Sequence, residues 1–158
     1  MASVLGETES LDELARAFRT CTLPKSAWTH AAHLRVGAWH VQQLGEADAL
    51  AALRSGIRRL NESHGVANTE STGYHETVTV AYVRIIAAFL AAFEARVPLE
   101  ERVAELLSGP VGHRELPFRF WSRELLLSNR ARQVWVEPDL QPLDLALLLA
   151  SPGLTRIP

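Results

Sequence analysis

Apolar residues recur at helical spacing along most of the chain, with polar positions between them. This period predicts an all-α fold with about six helices joined by short connections. The predicted helices span 11–19, 29–44 (starting anywhere from 24 to 29), 46–63, 73–96 (starting at 73 or 74), 99–107 and 118–128.

Local signals predict where these helices begin and end. Ser10 followed by Glu13 forms a candidate capping box. Gly45 separates the second helix from the third, and the polar segment 65–73 predicts a loop. Residues 132–144 contain two valines and two prolines and are predicted to be extended, and residues 143–149 could form one or two further helical turns. Since a single short strand has nothing to pair with, residues 1–158 are predicted to form one helical domain.

Composition narrows the class of protein. The 158 residues are 47% hydrophobic and 22% charged, with a net charge of -2, so no basic surface favours nucleic acid as a partner. The most apolar run, 78–93, contains Arg84 and is shorter than the ~20 residues that a membrane span needs. Cys21 is the only cysteine, and the N-terminal residues do not resemble a signal peptide. We therefore expect a cytoplasmic, bacterial-type protein without a membrane partner.

Four histidines are predicted to meet at one end of the bundle. On a helical wheel, His30 lies on the apolar stripe of the second helix and His33 lies about 60° to its side. His75 lies at the centre of the stripe at the start of the fourth helix, and His64 continues the stripe at the end of the third. Because the short connection at Gly45 makes the second and third helices antiparallel, these ends are expected to come together.

Grouped imidazoles suit a divalent metal, since buried neutral rings satisfy one another poorly and a metal takes up their lone pairs. His30, His33 and His75 are the predicted ligands, and Zn, Fe, Mn and Cu all remain open. Two alternatives also stay open: a polar pocket without metal, and ordinary structural histidines.

The surrounding residues supply further candidates. His64 is a fourth ligand or a general base, and Glu76 is a catalytic or orienting carboxylate, or simply a favourable charge at a helix start. Asn61, Tyr74 and Trp28 are candidate substrate-binding residues. The loop 65–73 is expected to border the site, and the C-terminal segments 119–124 and 134–140 are expected to cover one side of it.

Three runs resemble those of an uncharacterised bacterial family of small helical proteins. They are "LPKSAWTHAAHL", with an aromatic-Thr-His-x-x-His-Leu pattern, "IRRLNESHGVANTESTGYHETVT", with a Gly-Tyr-His-Glu-Thr pattern, and "WSRELLLSNRARQVWVEPDLQPLDL". The similarity extends over about residues 23–143 and includes His30, His33 and His75. It implies a small helical protein and no particular reaction.

Three functions follow as hypotheses. The preferred one is a metal-dependent hydrolase, isomerase or oxygenase acting on a small molecule. The second is a small-ligand-binding or accessory interaction protein without metal. The third is a structural subunit that docks through residues such as Trp135 and Leu140. A homo-oligomer is compatible with each.

Overall fold

A computed structural model describes residues 9–149, and these residues form an all-α domain. Five helices make up most of it: α1 (Leu11–Arg19), α2 (His30–Leu44), α3 (Glu46–Ser63), α4 (Glu76–Ala91) and α5 (Leu99–Ser108). Three short helices follow: α6 (Arg123–Leu126), α7 (Asn129–Gln133) and α8 (Leu145–Leu149). Single 3-10 turns occupy Lys25–Ala27, Pro110–Gly112 and Leu116–Arg119. Within the described residues there is no β-strand.

Side chains at the helix starts satisfy backbone N–H groups that have no partner within the helix. Ser10 and Glu13 form the predicted capping box of α1. The Thr29 hydroxyl accepts a hydrogen bond from Ala32 N (3.2 Å) and starts α2. Between α2 and α3, Gly45 has φ +80°, a conformation that disfavours side chains, so a single residue reverses the chain.

The core lies where α2 meets α1, α3 and α4. One apolar cluster joins α2, α4 and α5 to the C-terminal residues, around Phe89, Leu106 and Trp121. A second cluster joins α1 to α2 and α3, around Phe18 and Leu60. The two clusters share α2 and α4, which fixes the N-terminal ends of these helices beside each other.

The predicted sixth helix, 118–128, is wrong as a single helix. Ser122 and Ser128 both have extended backbone angles, and their hydroxyls accept from Leu125 N (3.2 Å) and Ala131 N (3.1 Å). Each serine therefore starts a new short helix, because its side chain competes with the helical hydrogen-bonding pattern. The turn Leu116–Arg119, α6 and α7 replace the predicted element.

The boundaries of the fourth helix also differ from prediction. Helix α4 begins at Glu76 and ends at Ala91, where residues 73–96 were expected. At the end of α2, Leu44 is 45% exposed. In the described part of the chain, no helix combines the length and apolar character needed to cross a membrane.

The C-terminal segment is extended, as predicted, and is held by side-chain hydrogen bonds. The buried Thr77 hydroxyl donates to Val134 O (2.8 Å) and accepts from Val136 N (3.2 Å). Trp121 Nε1 donates to Val136 O (3.0 Å). These contacts fix the segment to α4 without a partner strand.

Candidate functional site

A pocket of about 620 Å³ opens between the N-terminal part of α2, α3, α4 and the connection after α5. We call it the α2–α4 pocket. Its walls are mostly apolar side chains: Leu34, Leu53, Ile57, Val78, Val83, Ile86, Pro117, Phe118, Leu126 and Leu127. Its polar lining consists of Thr29, His30, His33, His75, Thr79, Tyr82 and Arg114, together with Trp28. The volume and the mixed lining are typical of small-molecule sites.

His75 lies on the pocket wall with both ring nitrogens engaged. Its Nδ1 accepts from Val78 N (3.3 Å) and caps α4, and its Nε2 donates to Leu126 O (2.8 Å). Burial lowers the pKa of His75, and the charge of Arg132 acts in the same direction. His75 is therefore a neutral ring that joins α4 to α6, with no lone pair left for a metal in this arrangement.

His33 presents a free nitrogen to the pocket. Its Nδ1 lies 2.6 Å from Thr29 O, and because a carbonyl only accepts, Nδ1 carries the proton. The ring stacks on Trp28 with 3.7 Å between centroids. The side chain is solvent-exposed on one side yet crowded by protein atoms on the others, and this desolvation lowers its pKa. Nε2 is left with a lone pair and no hydrogen-bond partner among residues 9–149.

His30 and Tyr82 line the same pocket, and each carries one buried, unpaired polar atom. Within the described residues, His30 Nε2 and Tyr82 Oη are both buried and lack hydrogen-bond partners. The two rings meet edge to face at 5.6 Å between centroids. Burial lowers the pKa of His30, an effect that Arg114 reinforces and the Val111 carbonyl opposes. Burial also raises the pKa of Tyr82, so both side chains are neutral near pH 7.

The three predicted metal ligands thus line one pocket but do not form a ready coordination sphere. Among residues 9–149, no group of three or more His, Cys, Asp or Glu side chains is arranged to hold a metal ion. His30 and His33 each retain one unpaired nitrogen, whereas His75 retains none. As they stand, these residues do not fit a three-ligand metal site, and the metal remains a prediction.

Glu76 lies outside the pocket lining and is paired. Its carboxylate forms a bidentate ion pair with Arg54, whose Nε lies 3.0 and 3.1 Å from the two oxygens. Tyr74 Oη donates to the same carboxylate (2.7 Å), and Arg58 stacks over the Tyr74 ring. Burial acts to raise the pKa of Glu76, but the hydrogen bonds from Arg54 and Tyr74 outweigh it and lower the pKa. This carboxylate joins α3 to the start of α4.

Asn61 and His64 also lie away from the pocket. Asn61 Nδ2 donates to Asn68 Oδ1 (3.0 Å), and the same oxygen accepts from Tyr74 N (3.0 Å), which holds the loop 65–73 against α3. His64 Nε2 donates to Leu23 O (2.7 Å). Of the predicted site residues, the pocket therefore brings together His30, His33, His75 and Trp28, but not His64, Glu76, Asn61 or Tyr74.

Four polar lining residues, Thr29, Thr79, Tyr82 and Arg114, were not foreseen as site residues. Tyr82 follows Val78 at helical spacing, a pattern that predicts core packing, although its hydroxyl needs a partner when buried. Thr79 uses its hydroxyl on His75 O (2.8 Å). Arg114 lies in the connection after α5, a region without periodicity to guide prediction. The predicted borders, 65–73, 119–124 and 134–140, contribute no residue to the pocket, which is closed instead by Arg114, Phe118 and Leu127.

Comparison of the chain with protein-family models, with curated proteins and with solved structures found no match. The resemblance to a bacterial family therefore stays a prediction.

Proposed function

We propose that this protein binds a small, largely apolar molecule in the α2–α4 pocket without a metal ion. The observation that carries the proposal is a mostly apolar cavity lined by His30 and Tyr82, each of which carries a buried polar atom, Nε2 or Oη, without a hydrogen-bond partner among residues 9–149. Leaving such atoms unpaired costs about 1–3 kcal/mol each. A ligand whose polar group reaches them recovers this cost while its apolar part contacts the walls.

The state of the histidines favours binding over base catalysis. His33 is the one lining histidine that has both a fixed tautomer and an open nitrogen. Desolvation lowers its pKa, which weakens it as a proton acceptor near neutral pH. His75 is occupied as a helix cap. These histidines act as neutral hydrogen-bonding groups and as flat surfaces for ligand contact.

The test uses decan-1-ol as a neutral amphiphilic probe, titrated calorimetrically into protein kept in EDTA. We expect saturable 1:1 binding. Ile57→Trp places an indole in the pocket and is expected to weaken binding at least fivefold. Leu50→Trp is the matched control, because Leu50 is also half-buried on α3, two turns away, but does not line the pocket. Failure of the wild type to bind decan-1-ol, or equal effects of the two substitutions, would overturn the proposal.

A metal-dependent enzyme is the second candidate. It is favoured by two unpaired nitrogens, His30 Nε2 and His33 Nε2, that are three residues apart on α2. Metal binding would require His75 to leave its cap or a substrate atom to complete the site. Titration of EDTA-stripped protein with Zn²⁺, Fe²⁺, Mn²⁺ and Cu²⁺ distinguishes the candidates. Tight stoichiometric binding that is lost in His30→Ala and His33→Ala would replace the first proposal with this one.

A further inference from the structure

The charges around the α2–α4 pocket are unbalanced. Among the described residues that line it, Arg114 is the single formal charge near neutral pH, and none is Asp or Glu. The three lining histidines have lowered pKa values and are neutral there. The pocket therefore carries a net positive charge at one edge of an apolar cavity.

The guanidinium of Arg114 is not used elsewhere in the described residues. It forms neither a hydrogen bond nor an ion pair with any residue from 9 to 149. The adjacent Glu115 points to Arg123, with 3.9 Å between carboxylate and guanidinium, so it does not neutralise Arg114. Arg114 nevertheless lies close enough to the pocket interior to act electrostatically on His30. An exposed, available cation thus lines the same pocket as His30 and Tyr82.

We infer that the ligand of this pocket is a monocarboxylic acid with an apolar body, whose carboxylate is bound by Arg114. This inference rests on the proposed binding function. Guanidinium groups match carboxylates geometrically through paired hydrogen bonds. One negative charge balances Arg114. The lining offers no acidic group to attract a cationic ligand.

The size of the site limits the molecule. A cavity of about 620 Å³ suits one small molecule and is too small for a folded partner. The exposed Leu127 and the half-buried Phe118 also line the pocket and extend the apolar contact. An apolar body therefore lies against the walls while the charged group stays at the Arg114 edge.

The test compares three ten-carbon probes that differ only in their head groups: decanoate, decan-1-ol and decylammonium. We expect wild-type affinity to follow the order decanoate, decan-1-ol, decylammonium. Arg114→Gln is expected to weaken decanoate about tenfold and to leave decan-1-ol within twofold. Arg119→Gln is the matched control, because Arg119 is exposed in the same connection but does not line the pocket. It should leave all three affinities unchanged.

A second readout separates charge recognition from a change in shape. Bound decanoate is expected to raise the pKa of His30, because the carboxylate offsets the charge of Arg114. The ring proton resonances of His30 in NMR spectra measure this pKa. Bound decan-1-ol should leave it unchanged. If decan-1-ol binds but Arg114→Gln leaves the affinity for decanoate unchanged, the inference fails and the proposed function stands. If decan-1-ol does not bind, the proposed function fails, and the inference that rests on it fails as well.

Discussion

Glu76→Gln tests whether this buried carboxylate is structural. Glu76 is 9% exposed and accepts hydrogen bonds from Arg54 and Tyr74. Glutamine keeps the shape but loses the charge and turns one acceptor into a donor. A charge-assisted hydrogen bond contributes about 1.5–3 kcal/mol, and the Tyr74 bond is buried. The side chain of Arg54 is 41% exposed, so solvent screens much of the attraction between Arg54 and Glu76.

These terms give an expected loss of about 2–3 kcal/mol in the free energy of unfolding at pH 7. For a chain of this length the loss corresponds to a fall of about 5–10 °C in Tm. Urea unfolding followed by circular dichroism measures the change. Glu62→Gln is the control, because Glu62 is exposed on the same helix as Arg54. Decan-1-ol affinity should be unaffected, since Glu76 does not line the pocket.

We also expect the stability difference between wild type and Glu76→Gln to depend on pH. The folded protein holds the pKa of Glu76 below its ordinary value of about 4.3. The ionised carboxylate therefore stabilises the fold above pH ~4.3, and this stabilisation is lost as the pH falls through the lowered pKa. The difference between wild type and Glu76→Gln should shrink on acidification. A variant as stable as Glu62→Gln at pH 7, or a difference that persists in acid, would refute the structural role.

Two further substitutions test the supports of the site. His75→Ala removes the cap of α4 and is expected to cost about 1 kcal/mol, whereas His75→Asn, which restores a capping acceptor, should recover most of it in thermal unfolding. Equal stability of the two variants would contradict the capping role. Thr77→Val leaves Val134 O and Val136 N without their side-chain partner and should cost about 1–3 kcal/mol, with faster hydrogen exchange at the Val136 amide. Unchanged exchange would show that the segment is held in another way.

Local signals in the sequence determined most of the helical framework. The apolar period, the Ser10 capping box and Gly45 predicted α1, α3 and the end of α2, because these signals act over single helical turns, whereas the start of α2 was predicted anywhere from 24 to 29 and lies at His30. The same logic failed at 118–128. There an apolar period suggested one helix, and Ser122 and Ser128 divided it, since a serine cap and an interior serine look alike in sequence.

The pocket itself was decided by tertiary structure. The wheel placed His30, His33 and His75 toward one end, but the free nitrogens on these rings depend on carbonyls such as Leu126 O, 51 residues away from His75. Glu76 pairs with Arg54, 22 residues away in sequence, and does not line the pocket. Arg114 does line the pocket, although it belongs to a connection whose apolar residues show no helical period. Helical propensity acts over neighbouring residues and is visible in sequence, whereas hydrogen-bond partners are chosen only when distant segments pack together.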